Sequence, residues 1–165
     1  MQIKNLIKNL KSSSEFKNWR KTHKQDYLVH IFKMIDKANQ DIWQIGYYSK
    51  ENDKITTFIL EKTKVTIVPE AEIFRKEKHE IKALDLKKIK IDFKQAIDKA
   101  KELQKKEYKT EKSLKEFTIL QHLENFQVWN TTFVTTSFKT LNMKINAETG
   151  KIETHDLRSL IDIKS

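Results

Sequence analysis

Five histidines, His23, His30, His79, His122 and His155, are the side chains of this chain that can gain or lose a proton near neutral pH. A zinc-type centre or a hydrolase base wants two of them at a fixed short spacing, such as His-x-x-x-His along one helix face. They stand singly instead, so a metal site would have to be assembled from distant segments. His30 and His122 fall in strand-like stretches, where a hydrogen-bonded structural histidine is the commoner outcome. Glu70 and Glu72 form a close carboxylate pair, but they sit in a polar connector with nothing beside them to lift a pKa into the general-acid range. The absence of cysteine removes disulfides, thiolate ligands and a thiol nucleophile. With only two glycines there is no Gly-rich phosphate loop and no Gly-x-Ser-x-Gly elbow. These residues favour a protein that is not an enzyme, with no cofactor and no metal; an enzyme using His30 or His122 as a base inside a cavity is the catalytic alternative.

Charge offers a second kind of chemistry. The net charge is +10 over 165 residues, and of the 33 basic side chains only Arg20, Arg75 and Arg158 are arginine. Lysine is a solvated point charge, whereas arginine is the fork that reads phosphates and bases bidentately. The excess lies in two blocks: residues 1–24 carry seven basic and one acidic side chain, and residues 87–115 carry eleven basic and five acidic. Should the two blocks lie side by side, Lys4, Lys8, Lys11, Lys17, Lys94, Lys101 and Lys105 would make one positive field, binding nucleic acid or another polyanion with steep salt dependence. Otherwise they are two solvated helix faces.

Both blocks carry helical signals. Ile3, Leu6, Ile7 and Leu10 form one apolar stripe, and the Ser12-Ser13-Ser14-Glu15 run offers a capping box leading into Phe16 and Trp19, which reads as a core anchor. Asp92 with Gln95 caps a helix to about Tyr108 whose apolar positions are Phe93, Ala96, Ile97, Ala100 and Leu103. Between the blocks, strands are expected at Tyr27–Asp36, 41–48, 54–60 and 65–68, the last ended by Pro69, with a further strand near Ile73 and Phe74; a helix is the alternative for the first, since Leu28, Ile31, Phe32 and Ile35 also fit helical spacing. After the second block they are expected at 117–123, 126–136, 138–147 and 151–155, with Trp129, Thr131 and Phe133 on one face and Leu141, Met143 and Ile145 on one face of the next. No segment approaches the roughly 20 apolar residues that span a bilayer. The N-terminus lacks an uninterrupted apolar run, so a cytoplasmic location is expected, or an exported one if a signal has been trimmed.

The string Asn146-Ala147-Glu148-Thr149-Gly150 reads as a reversal between strands: Asn146 can bond its own backbone two residues on, and Gly150 can take positive φ. With the Asp92–Ala100 helix and the Val128–Phe133 strand before it, this turn makes residues 91–156 resemble a PepSY domain, with Asn146 where that family usually has aspartate. The resemblance implies an α+β, cystatin-like module of antiparallel sheet packed against helices. The length of the chain points to one compact unit, and the order of helix then strands, twice over, with Trp43 and Trp129 in comparable places, reads as two degenerate helix-plus-meander halves, residues 1–86 and 87–165. The resemblance also implies a non-catalytic binding or regulatory role, engaging a protein or peptide or restraining a peptidase.

Overall fold

Alternation of apolar and polar residues shapes most of this chain, because it lets each strand give one face to the core and the other to something else. The computed structural model describes residues 2–72 and 80–161, in which three helices, α1 (Ile3–Ser12), α2 (Ser14–Arg20) and α3 (Phe93–Glu107), accompany eight strands. The strands are β1 (Tyr27–Met34), β2 (Ile42–Ser49), β3 (Lys54–Glu61), β4 (Lys64–Glu72), β5 (Ser113–His122), β6 (Gln127–Thr135), β7 (Lys139–Asn146) and β8 (Ile152–Ser159). All eight belong to one antiparallel sheet in the order β4-β3-β2-β1-β5-β6-β7-β8. The expected strand at Ile73 and Phe74, and His79, lie outside the described residues.

The fold is mainly β, and this corrects the balanced α+β, PepSY- or cystatin-like layout expected from the sequence. The helices have 10, 7 and 15 residues against eight strands of 8 to 10, so they lie as short struts on a single wide sheet. Each of the segments 27–72 and 113–159 is a four-stranded meander, but β1 pairs with β5 from His30↔Gln121 to Met34↔Phe117 and fuses them. Three strands also run well past their expected bounds, while the others shift by one or two residues. β4 runs through Pro69, which an edge strand tolerates because one row of its N–H groups needs no partner. β5 begins at Ser113, and β8 continues past His155 to Ser159.

The core lies on the helix side. One row across the sheet, Phe58, Ile45, Ile31, Leu120, Trp129 and Ile145, joins register partner to register partner and is wholly excluded from solvent. Against it pack Leu6 and Leu10 of α1, Phe16 and Trp19 of α2, and Ala96 and Ala100 of α3. The two alanines let α3 settle closely on β6 and β7. Its start is fixed as the spacing implies: Asp92 accepts from the Gln95 amide at 2.9 Å, while the Gln95 side chain accepts from the Asp92 amide at 2.9 Å. Ser13 caps α2 by accepting from the Phe16 amide at 3.2 Å.

The turn after β7 is built by Asn146, whose Oδ1 accepts from the Glu148 and Thr149 amides at 2.9 and 3.1 Å. Gly150 follows with φ +76°, and a Cβ placed there would meet the Ile91 side chain at 3.1 Å. Both the backbone and the packing therefore want glycine. Gly150→Ala is expected to lower stability by about 1–2 kcal/mol, read as a reduced urea midpoint with an unchanged slope.

Candidate functional site

Among the described residues, two extended surfaces on opposite sides of the sheet have the chemistry to meet another molecule, and a further depression of about 470 Å³ is lined by His122, Glu80, Lys82 and Phe126. The first is the sheet face turned away from the helices. Because β1 is apolar on both sides, its alternation sends Ile31 into the core and Phe32 and Met34 to this second face. Register continues the face outward: Phe32 lies between Gln44 and Ile119, Gln44 beside Ile59, and Met34 opposite Phe117. Phe32, Met34, Ile42, Ile59, Phe117 and Ile119 are all half-buried, and the Phe32 and Phe117 rings are 5.9 Å apart. No described helix covers them. On β6 and β7 the same face turns polar, where the Asn142 amide donates to Asn130 Oδ1 at 2.8 Å and to Thr132 Oγ1 at 3.0 Å.

One end of this face is closed. Tyr27 Oη donates to the Ile81 carbonyl at 2.9 Å, the Leu84 amide donates to the Leu28 carbonyl at 2.9 Å, and His122 Nδ1 lies 3.0 Å from the Ala83 carbonyl. Here His30 lies across Gly46, so near that a Cβ on Gly46 would sit 2.2 Å from His30 Cε1. Burial pushes the His30 imidazole below its ordinary pKa. A neutral, tightly packed histidine with no carboxylate to hold it is a spacer in the sheet, and nothing around it resembles a general-base arrangement.

The other histidines are placed apart. His23 stacks on Trp19 at 4.7 Å and approaches Glu70 Oε1 at 3.4 Å; His155 Nδ1 is 2.6 Å from Tyr108 Oη. No group of three or more histidine or acidic side chains suited to a metal occurs among the described residues. Around His23 lies a knot of polar groups that the spacing gave no hint of. Arg20 donates to the carbonyls of His23 and Asp26 at 2.8 and 2.7 Å, and burial pushes the Asp26 carboxyl above its ordinary pKa despite His23 and Arg20 nearby. Its work is to tie the end of α2 to the start of β1. Lys33 is a second residue whose role no spacing in the sequence signals: only 5% exposed, its ammonium donates to the carbonyls of Asn39, Gln40 and Ile42 at 3.2, 2.7 and 3.3 Å and lies 4.5 Å from the Trp43 ring centre. Burial pushes its pKa down, but every proton is already used to hold the 39–42 loop.

The second surface is on the helix side. Lys4, Lys8, Lys11 and Lys17, all exposed, line one depression of about 430 Å³ together with the half-buried Leu86. It adjoins a cleft of about 460 Å³ that shares Lys4 and Leu86 and adds Lys87 and Lys90. The remaining lysines of the expected positive field are elsewhere. Lys94 is paired with Asp98 at 2.6 Å, Lys101 with Glu116 at 3.3 Å, and neither they nor Lys105 lines either depression. Asn146, Thr149 and Gly150 form the turn already described and face neither surface as ligands.

No protein-family model and no curated protein sequence matches the chain. Among solved structures, the fold is similar to a crystal structure of a "putative lipoprotein" from Clostridium difficile 630, with a TM-score of 0.56, 10% identity, and coverage of 87% of this chain and 90% of that one. At that identity the likeness is one of fold. No helix among the described residues is long and apolar enough to cross a membrane.

Proposed function

We propose that this protein is a non-enzymatic binding module that engages a protein or peptide partner on the uncovered face of its sheet. The observation that carries this reading is the sheet's second apolar face: Phe32, Phe117 and Ile119 are contiguous, half-exposed and unaccompanied by any described helix. Apolar side chains gathered on a rigid surface with a polar flank of Asn130, Thr132 and Asn142 offer burial for affinity and hydrogen bonding for register. A peptide partner, or the restraint of a peptidase, is the finer part of this proposal; it comes from the sequence resemblance of residues 91–156 and not from the fold, which is mainly β. The lipoprotein description of the structural neighbour supports an exported location; fractionation of the native host separates that from the cytoplasmic reading.

The test is co-purification from the native host followed by mass spectrometry, repeated with Phe32→Asp/Phe117→Asp. A partner held by this face should be retained at least tenfold more weakly by the double variant, while its circular dichroism spectrum stays that of the parent. Equal retention by both proteins, or no partner at all, would refute the assignment.

A further inference from the structure

We infer that the lysine-rimmed groove between α1 and the 86–91 segment binds an acidic polypeptide segment carrying alternate apolar residues. The inference concerns the side of the molecule opposite the sheet face and does not rest on that reading. Its walls are cationic on both sides: Lys4, Lys8 and Lys11 project from exposed positions of α1, Lys17 from α2, and Lys87 and Lys90 from the opposite wall. Of these six, only Lys90 has an ion pair among the described residues, with Glu148 at 3.0 Å. Asp92 is the one carboxylate lining the groove, and it is engaged by the Gln95 amide.

The chemistry of the lining selects among anions. Leu86, Ile89 and Ile91 are half-buried in the groove, giving it an apolar floor beneath the charged rims. A bare phosphate backbone has nothing to place on such a floor, and nucleic-acid binders stack bases on aromatic rings, of which this lining has none. Arginine, the bidentate reader of phosphate, is absent from it too. An extended acidic peptide satisfies both parts, with carboxylates on the lysine rims and aliphatic side chains on the floor. From Lys4 to Lys11 along α1 is about 10 Å, the reach of about three residues of extended chain, so one strand-like segment suffices.

Fluorescence anisotropy with a labelled peptide of alternating glutamate and leucine tests this on the full chain. Binding is expected at low salt, weakening severalfold between about 50 and 200 mM salt. It should fall at least tenfold in Lys4→Glu/Lys8→Glu/Lys87→Glu and stay unchanged in the sheet-face double variant Phe32→Asp/Phe117→Asp. An oligothymidylate of equal charge should bind more weakly than the peptide, as should a glutamate–serine peptide that lacks the apolar side chains. Tighter binding of the oligonucleotide, equal binding of the glutamate–serine peptide, no binding of the glutamate–leucine peptide, or binding indifferent to the lysine substitutions would each overturn the inference. Because all three lysines are exposed, a cooperative thermal transition in the variant establishes that lost binding is not lost folding.

Discussion

Replacing Trp129 by alanine is expected to cost about 3–5 kcal/mol of folding stability, a large part of the 5–15 kcal/mol typical of a whole domain. Trp129 is completely buried at the centre of the core row, between Leu120 on β5 and Ile145 on β7. Its ring meets Phe93 of α3 edge-on at 6.1 Å, and its indole N–H donates to the Ile91 carbonyl at 2.9 Å. The side chain therefore fastens three things at once: the sheet, the first turn of α3 and the segment leading into it. Alanine leaves a void among rigid strands, which relax little, and leaves the Ile91 carbonyl without that donor. Trp129→Phe separates the two contributions, keeping most of the volume while removing the N–H, at about 1–2 kcal/mol. Urea unfolding followed by circular dichroism measures both; a loss under 1 kcal/mol for the alanine variant would contradict this picture of the core.

Gly46→Ala is the second large effect, at about 1–3 kcal/mol from overpacking. The added methyl would fall on the His30 ring, at 2.2 Å from Cε1 and 2.6 Å from both ring nitrogens. His30 and Gly46 are direct partners across β1 and β2, just beyond the bulge that follows Leu28, so the ring cannot be displaced without disturbing the ladder beside it. In a double-mutant cycle, His30→Ala removes the obstruction, and the glycine-to-alanine change should then cost much less. A pH dependence accompanies this packing. The His30 pKa is depressed in the folded state, so the unfolded chain takes up the proton first as acidity rises. The stability that neutral His30 confers is thus intact above the ordinary histidine value of about 6.5 and is lost as pH falls through the folded value. The thermal midpoint of His30→Gln should accordingly fall less between pH 7.5 and 5 than that of the parent.

How far the sequence speaks depends on what each residue has to do locally. Asp92 and Gln95, the apolar stripe of α1, and the Asn146 turn were legible because their partners are three or four residues away. The alternation of Trp129, Thr131 and Phe133, and of Leu141, Met143 and Ile145, was legible because a strand's two faces are set by the strand itself. What could not be read was the proportion and joining of elements. Strand β8 carries Asp156 and Arg158 at an edge where apolar alternation is not required, so nothing in its sequence marks where it ends. Lys33 sits in the middle of an apolar strand and is buried by a loop from outside it, something no spacing announces. Lys87 and Lys90 were visible as part of the second basic block, but their meeting with Lys4 depends on the path of the chain between β4 and α3. The second apolar face was hidden in plain view: a strand such as β1, apolar on both sides, normally implies cover on both.

The order of the strands also has a consequence for biogenesis. Of the two neighbours of β1, β2 is made within residues 27–72, whereas β5 begins at Ser113. At ribosomal speeds of about 5–20 residues per second, the nascent N-terminal meander waits about 2–10 seconds with one backbone edge of β1 unsatisfied. During that interval a second nascent copy on the same messenger could take the place of β5, so slowing translation of the stretch before Ser113 would be expected to raise the yield of swapped or aggregated product without altering the mature fold.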